Sequence, residues 1–313
     1  MSGSRVVAVG HFQPDGIMTN ADLEKLVDTS DEWIRRRVGI ETRHIAPPEM
    51  TVADMATKAA GNAMAHAGWS ADDVDVLMVA TCTTVERSPN VASRVAAGLG
   101  IAAPAAIEVN TACSGFTHAL ALADHTLQAG VARRALVVGA DKLSSVTDWT
   151  DRGTCVLVGD GAGAVAVEAV DGKGGISPVL WGSLPELGDA VVVTGQPPVF
   201  SQEGAAVYRW ATTVLPDVVR QTCAKAGLEL EDLAAMVLHQ ANLRVIEAIL
   251  SRLGPVKAIV ARDVVESGNT SAASVPLALS KLLEQEHIEP KAPILLLAFG
   301  GGLSYAGLVI EAP

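Results

Sequence analysis

Short apolar runs and amphipathic stretches take turns along the chain. In AGWSADDVDVLMVA (67–80) an Ala-Gly helix end and an acidic turn lead into an apolar run that reads as a buried strand. AGLELEDLAAMVLH (226–239) repeats that pattern. At 105–130 an apolar strand (Ala105–Val109) enters a turn, and a helix starting near Cys113 runs to Gly130, which sits where a C′ glycine belongs. MVLHQANLRVIEAIL (236–250) ends a buried strand, Met236–Leu238, just before an amphipathic helix, and GNTSAASVPLALSKLL (268–283) reads as a second strand-to-helix turn. CVLVGDGAGAVAVEA (155–169) and LLLAFGGGLSYAGLVIEA (295–312) each read as apolar strand, glycine turn, apolar strand. Strands that alternate with helices predict an α/β fold with mixed or parallel sheets covered by helices.

These segments are also copies of one another. The first two patterns lie 159 residues apart, and so do Asn110-Thr111 and Asn269-Thr270. The two strand–glycine–strand segments follow in the same order, both ending Glu-Ala. Matches at a fixed offset imply two homologous, pseudo-symmetric halves, 1–170 and 171–313. The Gly- and Pro-rich stretch 170–189 reads as the passage between them.

Composition narrows the class. Of the 313 residues, 49% are apolar and only 4% aromatic, so small aliphatic side chains fill the core. The net charge of −12 lacks the basic surface that a nucleic-acid binder needs. Four scattered cysteines without CxxC spacing, in a chain long enough to need no staples, predict reduced thiols and a cytoplasmic protein. MSGSRVVAVG has no signal-peptide core, and no apolar run has membrane-spanning length; ILLLAFGGGLSYAGLVI instead reads as two strands and a tight turn. The seven histidines show no metal-ligand spacing, so no metal site is expected.

The offset concentrates chemistry on three residues. Cys113, at a strand-to-helix turn, meets a helix N-terminus whose dipole and free N–H groups favour thiolate and can bind an oxyanion. A buried structural cysteine is the alternative, and it is the reading given to Cys82 (after a strand), Cys155 (in a strand) and Cys223 (in a helix). His239 follows the buried strand at the position matching Ala80, and Asn269 sits at the turn matching Asn110. Taken singly they read as a satisfied polar residue and an N-cap. Pseudo-symmetry sets the Asn269 turn opposite the Cys113 turn, with all three at strand C-terminal ends, where α/β proteins place their sites. Cys, His and Asn suit acyl transfer to sulfur and the stabilisation of an enolate by two N–H donors.

TACSGF, HQAN, GNTSAAS and AFGGG, in this order, together with DTSDEWIRRRVGIETRHIA (28–46) and DRGT (151–154), resemble the β-ketoacyl-acyl-carrier-protein synthase III family of the thiolase superfamily, over essentially the whole chain. The resemblance implies a homodimer of thiolase-like five-layered α-β-α-β-α subunits. It implies a starter acyl group passing from coenzyme A to Cys113, then condensation with malonyl-acyl carrier protein after loss of CO2, with no cofactor beyond the coenzyme A thioester substrate. Carried over by position, His239 and Asn269 bind the malonyl thioester carbonyl, and the N–H groups of Cys113 and Gly301 form the oxyanion hole. Trp33 and Arg152 match the pair that sandwiches adenine, Thr29 and Arg37 nearby coenzyme contacts, and Gly204 and Asn242 pantetheine-tunnel positions. Arg209, Arg244 and Arg252 fall on helices flanking the tunnel mouth, and since the family's carrier protein is acidic, a local arginine patch there would steer it; ordinary solvated charge is the alternative. His with Asn, where chain-elongating relatives carry two histidines, favours the initiating branch. GDGAG (159–163) is followed by an alternating strand pattern rather than a helix, which rules out a nicotinamide loop.

The chain departs from its relatives at the acyl pocket. Many carry a bulky aromatic before the Pro matching Pro89, contributed by the partner subunit; here that residue is Ser88, which predicts a starter larger than acetyl. Glu86 and Arg87 pair with each other or lie at a dimer interface. Segment 184–203 is short for a loop that covers the site, so an open pocket is expected. Two other functions fit the fold: acyl transfer to an alcohol or amine, and a non-catalytic acyl-binding partner subunit.

Overall fold

The computed structural model describes residues 2–86 and 88–313. The chain forms β1 (Ser2–Phe12), then β2 (Ile17–Thr19), α1 (Asn20–Leu23), α2 (Asp31–Arg37) and β3 (Thr42–His44). There follow α3 (Val52–Ala67), β4 (Val76–Ala80), α4 (Val91–Leu99), β5 (Ala105–Val109), α5 (Gly115–Gln128), β6 (Arg134–Lys142) and β7 (Asp160–Asp171). The remainder runs β8 (Leu180–Gly182), β9 (Val191–Thr194), β10 (Val199–Gln202), α6 (Gly204–Ala226), β11 (Ala235–Leu238), α7 (Leu243–Leu253) and β12 (Ile259–Val260). It ends with α8 (Val264–Ser267), α9 (Ser274–Gln285), β13 (Pro293–Phe299) and β14 (Tyr305–Glu311).

Two five-stranded sheets have one topology. The first is ordered β1-β7-β6-β4-β5 and the second β8-β14-β13-β11-β12. In each, neighbours among the first three strands pair antiparallel and the last three run parallel. Helices α5 and α9 lie between the sheets, and one buried cluster joins Phe116 and Leu120 of α5 to Val275 and Leu279 of α9 and to Val137 and Leu296 of the two sheets. The first sheet's outer face packs on α3 and α4, the second's on α6 and α7. The result is the five-layered α-β-α-β-α thiolase arrangement. Small residues permit its tight spacing: a Cβ at Gly139 of β6 would lie 2.2 Å from the carbonyl oxygen of Ala272. Among the described residues no helix is long and apolar enough to cross a membrane.

Three expectations need correction. Residues 152–157 are turns, not a strand, and the glycines of GDGAG lie at or inside the start of β7. The run is apolar because it is buried, and its backbone is satisfied from elsewhere: Arg43 Nη2 donates to Val156 O (2.7 Å), and Asn269 N to Leu157 O (2.8 Å). The counterpart of β13 is therefore β6, while β7 matches β14. Asn269 follows the short helix α8 and touches extended chain only through one parallel bridge to Val158. Within segment 184–203 a 3₁₀ turn (Pro185–Ala190) leads into the β9–β10 hairpin, which walls the site rather than leaving it open.

Candidate active site

Cys113 lies in a 3₁₀ turn, Ala112–Ser114, that leads into α5. Its counterpart 159 residues on is the turn Ser271–Ala273, which leads into α9. Both turns are built alike. Asn110 Oδ1 accepts from Ala112 N (3.2 Å) and Asn269 Oδ1 from Ser271 N (2.9 Å). Ala112 (φ 48°) and Ser271 (φ 52°) both occupy the left-handed region, a costly conformation for a residue with a Cβ. With Oδ1 so engaged, the Asn269 amide keeps its Nδ2–H donors for something else.

One cavity of about 280 Å³ joins these parts. Cys113, Asn269, Ser271, Gly301 and Cys82 line its polar side; Leu143, Val191–Val193 and Phe200 supply apolar walls. The backbone N–H groups of Cys113 and Gly301 point toward Cys113 Sγ. His239 is not among the residues lining this cavity and is 2% exposed. Its Nδ1 is 2.6 Å from Ser274 Oγ, and its ring meets Phe299 edge-on at 5.1 Å; Phe299 in turn meets Trp210.

The electrostatics differ from the expected thiolate. Burial pushes the Cys113 thiol up to about 11, outweighing the Ser271 hydroxyl and the N–H groups that favour the anion, and burial holds His239 down to about 3. The resting pair is thus a neutral thiol and a neutral imidazole.

The pseudo-symmetry explains why one turn is open and the other closed. Asp141, at 0% exposure, accepts from Thr81 Oγ1, Cys82 N and Thr83 Oγ1 through Oδ1, and from Ala272 N through Oδ2 (2.9 Å). Ala272 is the counterpart of Cys113, and Gly300 is the counterpart of Asp141. Where one half sets a carboxylate on the turn's N–H, the other has no side chain, and a Cβ at Gly300 would lie 2.6 Å from Cys113 Cβ and 3.0 Å from Cys113 N. Cys113 N–H is therefore left facing the cavity. Asp141, Ser271, Ser274 and Phe299 escaped the sequence reading, and Cys82 was set aside as structural although it lies 3.4 Å from Ser271 Oγ on the cavity wall. Applying the offset to every residue would have found Asp141 and Ser274.

The other candidates are spread around the entrance and beyond. Arg152 stands over Trp33 of α2 with its guanidinium carbon 5.0 Å from the ring centroid, and Nη1 donates to Asp28 O (2.9 Å). Thr29 Oγ1 is buried without a hydrogen-bond partner among the described residues, and Arg37 is exposed at the end of α2. Gly204 opens α6, and Asn242 caps α7 by accepting from Val245 N (3.0 Å). Neither lines the cavity around Cys113. Arg209 and Arg252 are exposed. Arg244 is engaged, donating to the Arg35 and Arg36 carbonyls and to Glu247, so it clamps the last turn of α2. Ser88 is exposed and absent from this chain's own cavity. Glu86 faces Arg94 at 3.7 Å; Arg87 lies outside the described residues.

Family models described as 3-oxoacyl-[acyl-carrier-protein] synthase III match residues 107–185, and its C-terminal part residues 223–312. The chain is 61% identical to β-ketoacyl-[acyl-carrier-protein] synthase III 2 of Streptomyces avermitilis, covering 100% of both chains. It is 62% identical to synthase III 4 of Streptomyces coelicolor, covering 99% of both. Among solved structures, the priming β-ketosynthase of the R1128 polyketide biosynthetic pathway superposes with a TM-score of 0.96 at 35% identity, over 99% of this chain and 96% of that one.

Proposed function

Because the chain belongs to the 3-oxoacyl-[acyl-carrier-protein] synthase III family of condensing acyltransferases, we propose that it joins an acyl starter from coenzyme A to malonyl-acyl carrier protein through an acyl-Cys113 intermediate. The observation that carries this is the convergence of the Cys113 thiol, two backbone N–H donors and the oriented Asn269 amide on one apolar-walled cavity.

In the first half-reaction Cys113 Sγ gives up its proton and attacks the thioester carbonyl. The tetrahedral oxyanion is held by the N–H groups of Cys113 and Gly301, and the coenzyme leaves as a thiol with that proton. In the second, the malonyl C–C bond to the carboxylate breaks and CO2 departs. The electron pair spreads onto the thioester oxygen, held by His239 Nε2–H and Asn269 Nδ2–H. The enolate carbon then attacks the acyl carbon, and Cys113 leaves as thiolate and recovers a proton. The cycle asks for no cofactor beyond the thioester substrate, and a reduced thiol suits the cytoplasm.

Trp33 and Arg152 are suited to flank the adenine, which needs the guanidinium to lift from the ring, with Thr29, Arg37, Gly204 and Asn242 along the coenzyme's path. The acidic carrier protein would meet Arg209 and Arg252, with Arg244 acting more through the placement of α2. A second copy is the natural cover for β5: it is an open edge, and Ile107 on it, Leu122 on α5 and Trp181 on β8 are exposed apolar groups. From such a dimer Ser88 would border the partner's acyl pocket and leave room for a starter larger than acetyl.

Intact-mass spectrometry with a panel of acyl-coenzyme A donors, then malonyl-acyl carrier protein, tests the reading. Acyl mass on wild type but not on Cys113→Ala, cleared with CO2 release, is expected. Acylation without CO2 release would point to transfer onto an alcohol or amine, and no acylation from any donor to a binding subunit. Reactivity confined to acetyl would remove the large-starter reading.

A further inference from the structure

We propose that Ser274 is a positioning residue that holds the His239 ring in the tautomer with its hydrogen on Nε2, a role that rests on His239 acting as donor to the malonyl thioester. Ser274 is the first residue of α9 and is fully buried. Its hydroxyl has two neighbours within hydrogen-bond distance: His239 Nδ1 at 2.6 Å and the backbone N–H of Gln240 at 3.4 Å. The N–H can only donate. Nδ1 is then the hydroxyl's one acceptor, so Oγ–H donates to Nδ1 and the ring hydrogen belongs on Nε2. The opposite tautomer would direct both Nδ1–H and Gln240 N–H at Oγ and strand the hydroxyl hydrogen in a buried site.

Two further observations agree. Among the described residues Nδ1 is the ring nitrogen with a hydrogen-bond partner, and the edge-on contact with Phe299 at 5.1 Å fixes the ring plane from another side. With burial keeping the ring neutral, the state to be chosen is one of two neutral tautomers.

The other half shows the same contact without its chemistry. The counterparts of His239 and Ser274 are Ala80 and Gly115, and a Cβ at Gly115 would lie 3.0 Å from Ala80 Cβ. The two positions differ between halves as a pair: apolar and small in one, imidazole and hydroxyl in the other.

The test is ¹⁵N NMR of the full chain labelled at histidine, with His239 assigned from His239→Asn. Wild type should carry a single neutral tautomer with hydrogen on Nε2. Ser274→Ala should lose that single species, and its release of CO2 from malonyl-acyl carrier protein should fall about ten- to a hundredfold. A wild-type ring with hydrogen on Nδ1 overturns the proposal even if the variant does not fold. So does a Ser274→Ala protein that keeps the pure Nε2–H form at the wild-type rate. Absence of CO2 release from wild type would instead remove the condensing role, while the ring nitrogens still decide what Ser274 does.

Discussion

Cys113 carries two opposing influences, and their balance sets how it reacts. Burial disfavours the anion more than the Ser271 hydroxyl and two backbone N–H groups favour it, so the thiol is pushed up to about 11. Alkylation of Cys113 by iodoacetamide should therefore quicken about tenfold per pH unit from pH 7 toward 11 and be missing in Cys113→Ala. A plateau near the ordinary thiol range, about 8.5, would contradict that balance. His239 has the opposite sign. Held down to about 3, it stays neutral as pH falls from 7 to 5, so malonyl decarboxylation should show no loss from a histidine titrating near 6.5. Identity and placement of these residues were legible in the sequence, because strand ends and helix starts leave marks. Their environment was not: whether a thiol at a turn is solvated or enclosed depends on Val191–Val193 and Phe200, which arrive from a distant hairpin. That Cys82 lies on the same cavity wall was hidden for the same reason.

At the scale of elements, the decisive piece is the turn between β13 and β14. Gly300 is extended (φ 177°), so its requirement is space and not a special backbone conformation. Gly300→Ala should cost about 1–3 kcal/mol of stability through overpacking and lower acylation of Cys113 about a hundredfold or more, because the new Cβ must displace Cys113 and its N–H. Wild-type acylation in that variant would show that the turn has slack. The strand pairs flanking this turn, and the starts of α5, α7 and α9, were readable from pattern alone. The run at 155–158 was not. A short apolar run looks the same whether it pairs in a sheet or is buried as turns, and here the partners are side chains and backbone from remote positions, Arg43 and Asn269. Nothing local distinguishes the two.

The whole molecule ends its first sheet at β5, five residues long, where the second sheet ends at the two-residue β12. Alternate residues of β5 face the α5 layer, which sets exposed Ile107 on the same side as Val109 and toward Leu122. Ile107→Lys with Leu122→Glu should convert a dimer to monomers by light scattering, with the far-ultraviolet circular dichroism kept. A monomeric wild type would leave the open edge without its proposed cover. We also propose the division at residue 170. The repeated sheet order bears on it, although the passage 170–189 itself contributes β8 to the second sheet and is not a free linker.

Asp141 shows what duplication has done with the second copy of the turn. The chain writes this turn twice, and in the copy that carries Ala272 the Asp141 carboxylate accepts from Ala272 N–H. Ala272 and Ala273 are buried, and the β6 backbone at Gly139 lies against the Ala272 carbonyl. One copy of the motif thus faces a cavity, and the other has become a joint that fastens the first sheet to the start of α9.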